Sequence, residues 1–481
     1  MQYDVLIVGA GLGGLTAGAK LAREGKRVLV LEQHDRPGGC ATTFIRKDFI
    51  MEVGLHEMDG LHRADPKTRI FNELGITERV EFLEVPEFYR FVNDRLDIVV
   101  PHDPEAAKSI LKKHFPGEEE GIEKYFHTVL NARKVLKEMP QAEDKSLGGF
   151  LDEIIGDEDL KLVLLGNLGY FHDDPYSLSW IYYINAQGAY YGGGRANFIK
   201  GGSQELSNAL MNIIEENGGE VKLNSLVTAI DYEGKIPSGV TYRDSLRKDP
   251  CKCREKAREI IINSSVPGLA AELLPETERS ALLEEIENNR PGASLLTVYY
   301  GFEKSLKEVG SRNYSTFVFD GSVKSQKDIL ANNHSDFSTR SFTFVDYSQV
   351  DSALAPEGKS VGAVCCVDYP EDWEQLSREE YRMKKALVAD IFTSRLDKLI
   401  PGFRDAVEHV EVGTSLSVRR YTLNPGGAVY GFAQNPGKSI SYLSALPSNM
   451  HIASAWGKFG GGFSGAILCG YMTALDVLRR G

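Results

Sequence analysis

The hydrophobic pattern opens on a short, unbroken apolar run at residues 4–8 (Asp-Val-Leu-Ile-Val), the kind of run that forms a strand buried on both faces. Residues 15–24, rich in Ala and Leu, then predict a helix, and residues 27–31 a second buried strand. Further along, Lys200-Gly-Gly-Ser203 introduces a helix that runs to Glu216. Residues 220–223, 226–230 and 259–263 come next as strands, and 264–268 as a turn. A second set of strands is predicted at 295–302, 341–346 and 361–367. The long helix 378–399 succeeds them, with Ser377 and Glu380 spaced as a capping box. The chain finishes with a strand at 451–455 and an apolar helix running from Gly460 toward Leu478. No tandem repeat and no low-complexity linker interrupts the pattern.

The first turn carries chemistry. Between the first strand and helix stands Gly9-Ala-Gly11-Leu12-Gly13-Gly14, a G-x-G-x-x-G fingerprint inside a strand–helix–strand unit. Gly9 suits the tight turn, Gly11 lets a pyrophosphate reach backbone, and Gly14 lets the helix pack close on the strand. The helix N-terminus offers N–H groups and a positive dipole end to the phosphates. Glu32, with Gln33 after it, closes the second strand where an acidic side chain would accept bonds from ribose hydroxyls.

The residues beyond Glu32 separate FAD from NAD. A second glycine pair, Gly38-Gly39, begins six residues past the acid. An NAD domain has no need of that second turn, whereas FAD runs on past the pyrophosphate. Glu52-Val-Gly54-Leu55-His56 resembles the acid-x-Gly segment that passes beside the isoalloxazine ring in flavoproteins of the amine-oxidase type. Gly460-Gly461-Gly462-Phe463-Ser464-Gly465, opening the last helix, suits a phosphate or a flavin edge. Val227, on one of the middle strands, joins this cofactor set.

These segments predict an α/β fold: a Rossmann-like FAD-binding domain of the glutathione-reductase and amine-oxidase type, interleaved with a mixed α+β substrate domain. The FAD-binding domain is discontinuous, over 1–65, 201–290 and 440–481. The substrate domain comprises 66–200 and 291–439. A chain of 481 residues suits two or three such units.

Composition narrows the partners. Apolar residues at 42% and charged residues at 26% are ordinary for a globular protein. A net charge of −13 repels nucleic acid and acidic lipid alike, so no nucleic-acid partner is expected. No run of eighteen apolar residues appears, and Asp4 stands where a basic leader region would be, so a cytoplasmic location is the expectation. The six cysteines make no disulfide framework. Cys251-Lys-Cys253 is half a metal motif without its second half, inside a charged stretch (243–258) that reads as an exposed hairpin loop. No metal site is predicted.

Four segments together resemble one family, the phytoene desaturase, carotenoid isomerase and retinol saturase group of flavoproteins. They are residues 9–44, 197–203, 420–431 (Arg-Tyr-Thr-Leu-Asn-Pro-Gly-Gly-Ala-Val-Tyr-Gly) and 453–465. The third is the most particular, since generic FAD proteins lack it. The resemblance implies non-covalent FAD and chemistry on carbon–carbon double bonds of a long apolar, polyene or isoprenoid-like substrate: desaturation, saturation or isomerisation. It also implies peripheral membrane contact and leaves the redox partner open. His56 and Tyr430 are the candidate catalytic residues, and Tyr190 and Tyr191, before Gly192-Gly-Gly194, the candidate tunnel lining. Cys40 departs from the family, many of whose members have Arg there, which shifts phosphate contacts to backbone or Arg36. The apolar segments 160–168 and 176–184 are read as lying near the tunnel mouth. Two other readings share part of the pattern. One is a flavin amine oxidase or protoporphyrinogen-type oxidase; the other is a non-enzymatic prenyl-lipid carrier of the GDP-dissociation-inhibitor kind.

Overall fold

The computed structural model describes residues 2–132, 134–135, 145–193, 195–247 and 251–480. Among these, the strands form two seven-stranded sheets and two short antiparallel pairs. The first sheet begins from the predicted pair Tyr3–Val8 and Val28–Leu31, whose β-branched and leucine side chains are buried along nearly their whole length. The strand Tyr3–Val8 lies between Val28–Leu31 and Lys252–Ile262, parallel to both. Glu220–Lys222 extends the parallel set on one side, and Met450–Ile452 on the other. A strand from the last 32 residues therefore completes a sheet begun by residue 3.

The first half of Lys252–Ile262 also pairs antiparallel with Ile236–Asp244, which in turn pairs with Ser225–Glu233. This corrects the loop expected over 243–258. Arg243 is already paired with Lys252, so the charged residues are mostly strand, with polar side chains turned outward as on any sheet open to water on one face. Cys251 and Cys253 are exposed there. The turn expected at 264–268 closes into a short helix, Val266–Gly268, capped by the Ser265 side chain.

Three helices cover one face of the first sheet: Leu12–Arg23, Ser203–Glu216 and Gly462–Arg480. The first and last cross so closely that only glycine fits between them. A Cβ on Gly13 would overlap the carbonyl oxygen of Ala453, and one on Gly470 would overlap that of Gly13.

The second sheet runs in the order Val407–Gly413, Ser294–Phe302, Ser360–Asp368, Phe342–Asp346, Ser315–Val318, Tyr89–Val92, Asp97–Val100. Its pleat decides which side chains meet the site. Leu296, Val298 and Tyr300 pack with Val364, Cys366 and Phe392 of the long helix Arg378–Leu399. Their neighbours Leu295, Thr297, Tyr299 and Cys365 face the opposite way, onto a cavity. The capping box of that helix is formed: the Glu380 carboxylate accepts the Ser377 N–H at 2.8 Å, and Ser377 Oγ accepts the Glu380 N–H at 3.3 Å.

Of the two apolar segments read as lying near the tunnel mouth, 160–168 is core, with Leu160, Leu162 and Leu165 wholly buried, while 176–184 is divided: Leu178 and Tyr183 are buried, and Ile181 and Tyr182 reach the cavity wall. Among the described residues, no helix is long and apolar enough to cross a membrane.

Candidate functional site

One cavity of about 1670 Å³ runs between the two sheets. Pockets for a single drug-sized ligand measure roughly 300–1,000 Å³, so this cavity exceeds the space one such ligand needs.

Its first end is built on the glycine turn after Tyr3–Val8. Gly9, Gly11, Leu12 and Gly13 line it, and the helix Leu12–Arg23 starts at Gly11 with no side chain capping its free N–H groups. The Gly38-Gly39 turn folds back onto the first: Gly38 N–H donates to Ala10 O at 2.7 Å, and a Cβ on Gly39 would lie 3.5 Å from Gly11 Cα. Gly38 has φ +124°, a conformation that side-chain-bearing residues rarely adopt. Glu32 joins the two turns, its carboxylate accepting the Ala10 N–H at 2.7 Å and the His34 N–H at 2.8 Å. Burial raises the Glu32 pKa, and the backbone N–H groups oppose the rise. Gln33, on the same wall, donates its amide to Tyr421 O at 3.1 Å. Arg36 also lines the cavity and donates to Thr43 O at 2.8 Å, close to the turn that carries Cys40.

The Gly54 segment is anchored by Glu52, whose role the sequence only hinted at. This carboxylate is buried behind the wall and accepts the N–H groups of Gly54 (3.0 Å) and Leu55 (2.9 Å). Gly54 and His56 reach the cavity. Leu55 does not: its side chain is fully buried in the core, and its carbonyl accepts the Tyr347 hydroxyl at 2.9 Å. Gly14 is likewise absent from the wall and sits under the turn, against Gly9 and Asn263. Val227 lines the wall from the middle strands.

Gly461, Gly462, Phe463 and Ser464 close the cavity from the final helix. The 420–431 segment reaches the same wall. It forms the helix Ser415–Thr422 and a turn held by Asn424, which donates to Ala428 O at 2.8 Å and accepts the Trp456 indole N–H at 3.2 Å. Tyr430 then lies against Gly461 and lines the cavity, its phenol kept neutral by burial.

The second end is aromatic, lined by Tyr170, Phe171, Tyr182, Tyr190 and Tyr299. Tyr191 corrects the expectation of a tyrosine pair: it packs into the core at 5.0 Å from the Phe126 ring and 5.1 Å from Phe88. Gly194 lies outside the described residues. His56 Nδ1 and the Tyr170 hydroxyl are hydrogen-bonded at 2.9 Å. Burial lowers the His56 pKa to about 4, so the imidazole is neutral at physiological pH.

Among the lining residues that sequence reasoning missed, three bear on the chemistry. Asn263 ends the strand Lys252–Ile262 and donates its amide to Gly9 O at 3.1 Å; its place at the carboxyl end of a parallel strand beside the glycine turn was the available signal. Tyr170 comes from the loosely patterned region before residue 200 and carried no signal. Glu57 stands directly after His56 and was passed over as an ordinary acidic residue. No group of three or more His, Cys, Asp or Glu able to hold a metal occurs among the described residues.

Comparison with known proteins agrees with this geometry. The chain is 25% identical over 533 residues to all-trans-retinol 13,14-reductase of Danio rerio, a match covering 98% of this chain and 85% of that protein. It is 27% identical over 489 residues to prolycopene isomerase 2 of an Oncidium hybrid cultivar, covering 93% and 78%. Its fold is similar to that of cyclohexylamine oxidase from Brevibacterium oxydans, with a TM-score of 0.65 at 17% identity over 100% of this chain and 99% of that one. A family model described as flavin containing amine oxidoreductase matches residues 12–478. With both glycine turns, the uncapped helix and the returning C-terminal strand around one cavity, the chain belongs to the flavin containing amine oxidoreductase family and is an FAD-dependent oxidoreductase.

Proposed function

We propose that the enzyme acts on carbon–carbon double bonds of a long apolar polyene or isoprenoid-like molecule, by desaturation, saturation or isomerisation. The observation that carries this reading is the cavity itself: glycine turns suited to a dinucleotide at one end open directly onto an aromatic wall with Tyr170, Tyr190, Tyr299 and Tyr430. An apolar chain lying along aromatic rings is held by burial and dispersion and needs no ion pair. The relatives named for a retinol reductase and a prolycopene isomerase support the same substrate class.

FAD, when bound, supplies acceptance or donation of a hydride. The protein's part is to bind, orient and exclude water. We assign FAD binding to the turns containing Gly9, Gly11, Leu12, Gly13, Gly38 and Gly39, to Glu32, Gln33, Gly54, His56 and Val227, and to Gly461 through Ser464. We further infer that 1–65, 201–290 and 440–481 form the FAD-binding unit, and 66–200 and 291–439 the substrate unit; the strand membership of the two sheets supports that division. Tyr430 is the candidate to orient the substrate near the final helix. His56, neutral and tied to Tyr170, suits a hydrogen-bonding role more than that of a cationic acid.

Peripheral membrane contact is assigned to the place where the cavity wall becomes exposed. Tyr421, Leu423 and Ile440 line the cavity and are 54%, 50% and 39% exposed; this rim lies at the dinucleotide end, where Gln33 donates to Tyr421 O, and offers apolar surface for contact with a lipid face.

The test is product analysis by mass spectrometry after incubating oxidised and reduced holoenzyme with a polyene panel. Gain or loss of a hydrogen pair, or isomerisation at constant mass, is the expected result. Turnover of amines with no polyene converted would replace this reading with the amine-oxidase one.

A further inference from the structure

Resting on the polyene reading, we propose that Glu57 forms a polar subsite for the hydroxyl or carbonyl end of an otherwise apolar substrate. Glu57 lies on the cavity wall that also holds Tyr170 and Tyr190. It is about nine-tenths buried, with 9% of its surface exposed, and neither carboxyl oxygen has a hydrogen-bond partner. An unsatisfied buried carboxyl is costly, and one that faces a ligand cavity is placed where a bound molecule can satisfy it.

Several of the surrounding polar groups are already engaged. The Tyr170 hydroxyl is bonded to His56, the Tyr89 hydroxyl donates to Val163 O at 2.8 Å, and Glu87 accepts the Tyr314 N–H at 2.5 Å. Asp59 accepts from the Ser464 hydroxyl. The nearby cation, Lys67, is held between Asp59 at 3.2 Å and Asp65 at 3.0 Å. Among the described residues, no ion pair reaches Glu57. Burial first, then the charges of Glu87 and Asp59, push its pKa well above the usual carboxylate value. A neutral carboxylic acid offers one O–H donor and one carbonyl acceptor. A hydroxyl can use both, a carbonyl the first, and a hydrocarbon neither. The residue would thus separate oxygen-bearing polyenes from pure hydrocarbons within one apolar cavity.

The experiment measures affinities on the FAD-loaded protein for all-trans-retinol against its deoxy hydrocarbon analogue, and for 1-dodecanol against dodecane. In the wild type each alcohol should bind about tenfold tighter than its hydrocarbon, the size of one net hydrogen bond. Glu57→Leu should abolish that preference or reverse it in favour of the hydrocarbon, whose end needs no partner, and Glu57→Gln should retain part of it. The melting temperature of the ligand-free protein is the second readout, and Glu57→Leu should match or exceed the wild type because it removes an unsatisfied group. An alcohol preference that survives in Glu57→Leu, or is absent from the wild type, overturns the subsite. So does tighter binding of dodecylamine than dodecanol, which would make Glu57 a cation site. A lower melting point in both variants would make it a structural residue and overturn the proposal as well. If neither retinoid binds but the dodecanol preference depends on Glu57, the polyene reading falls and the subsite stands.

Discussion

The carboxylate of Glu52 accepts two hydrogen bonds from Ser203, 151 residues away: the backbone N–H at 2.7 Å and the hydroxyl at 2.7 Å. Ser203 opens the helix Ser203–Glu216, so a buried negative group sits at the positive end of that helix while also holding the Gly54 segment. Burial raises the Glu52 pKa, and the donors from Ser203, Leu55 and Gly54 oppose the rise. One side chain thus couples the wall of the FAD site to the helix layer over the first sheet.

Glu52→Ala leaves those donors buried without an acceptor. We expect a loss of about 3 kcal/mol in chemical denaturation of the flavin-free protein. A loss under about 1 kcal/mol would mean that water replaces the carboxylate and that Glu52 is no anchor.

Two glycines of the fingerprint should fail differently. A Cβ on Gly11 would come within 2.8 Å of only a side-chain amide, that of Asn263, which can turn aside. Gly11→Ala should therefore fold, with a melting temperature near the wild type, and bind FAD weakly. A Cβ on Gly13 would meet the fixed carbonyl of Ala453, so Gly13→Ala should yield little folded protein. Equal flavin absorbance per folded molecule in Gly11→Ala and wild type would contradict the pyrophosphate assignment.

His56 has a folded-state pKa of about 4 against an ordinary 6.5. The unfolded chain therefore binds more protons between these values. The stability His56 contributes is fully present above pH 6.5 and is lost as pH falls toward 4. His56→Phe should make the acid side of the stability profile shallower and cost about 1 kcal/mol at pH 8 through the lost Tyr170 bond. Turnover per bound flavin should fall only severalfold. A drop of roughly 10²-fold would restore His56 as a proton-transfer residue.

Glu57 has the opposite sign. Its folded pKa lies above the ordinary 4.5, so the folded state holds a proton that the unfolded state releases. Stability falls as pH rises through and beyond 4.5, until the folded carboxyl also ionises. In urea titrations of the ligand-free protein from pH 4 upward, Glu57→Gln should lose less stability than the wild type; parallel curves would show that Glu57 is ionised when folded.

Leu423 and Ile440 should govern lipid contact without touching the fold. The double change Leu423→Asp and Ile440→Asp should leave melting temperature and flavin content unaltered while abolishing flotation with neutral liposomes. Flotation undiminished in the double variant would move the membrane contact elsewhere.

The strand–turn–helix–strand unit around Gly9 was legible because local signals agree there: a buried apolar run, a glycine turn, an Ala-rich helix and an acid at the end of the second strand. The same agreement made the C-terminal glycine turn and the capping box at Ser377 readable. The charged strand Lys252–Ile262 was misread because its pairing with Ile236–Asp244 overrides polar residues that locally favour a loop. Composition had no means of distinguishing the buried segment 160–168 from the cavity-lining side chains of 176–184, since an apolar residue suits either.

The sequence by itself determined the cofactor and the family, because a dinucleotide turn depends on contiguous residues whose backbone demands only glycine meets. Only the tertiary structure decided which tyrosine faces the cavity. Tyr190 and Tyr191 are adjacent on one helix, about 100° apart around its axis; both rings touch Phe88, and only Tyr191 packs on Phe126 while Tyr190 reaches the cavity. It likewise decided that Glu52 anchors and Glu57 stands unpartnered. Whether a buried carboxylate finds donors depends on chain segments more than a hundred residues away, and no local pattern records them.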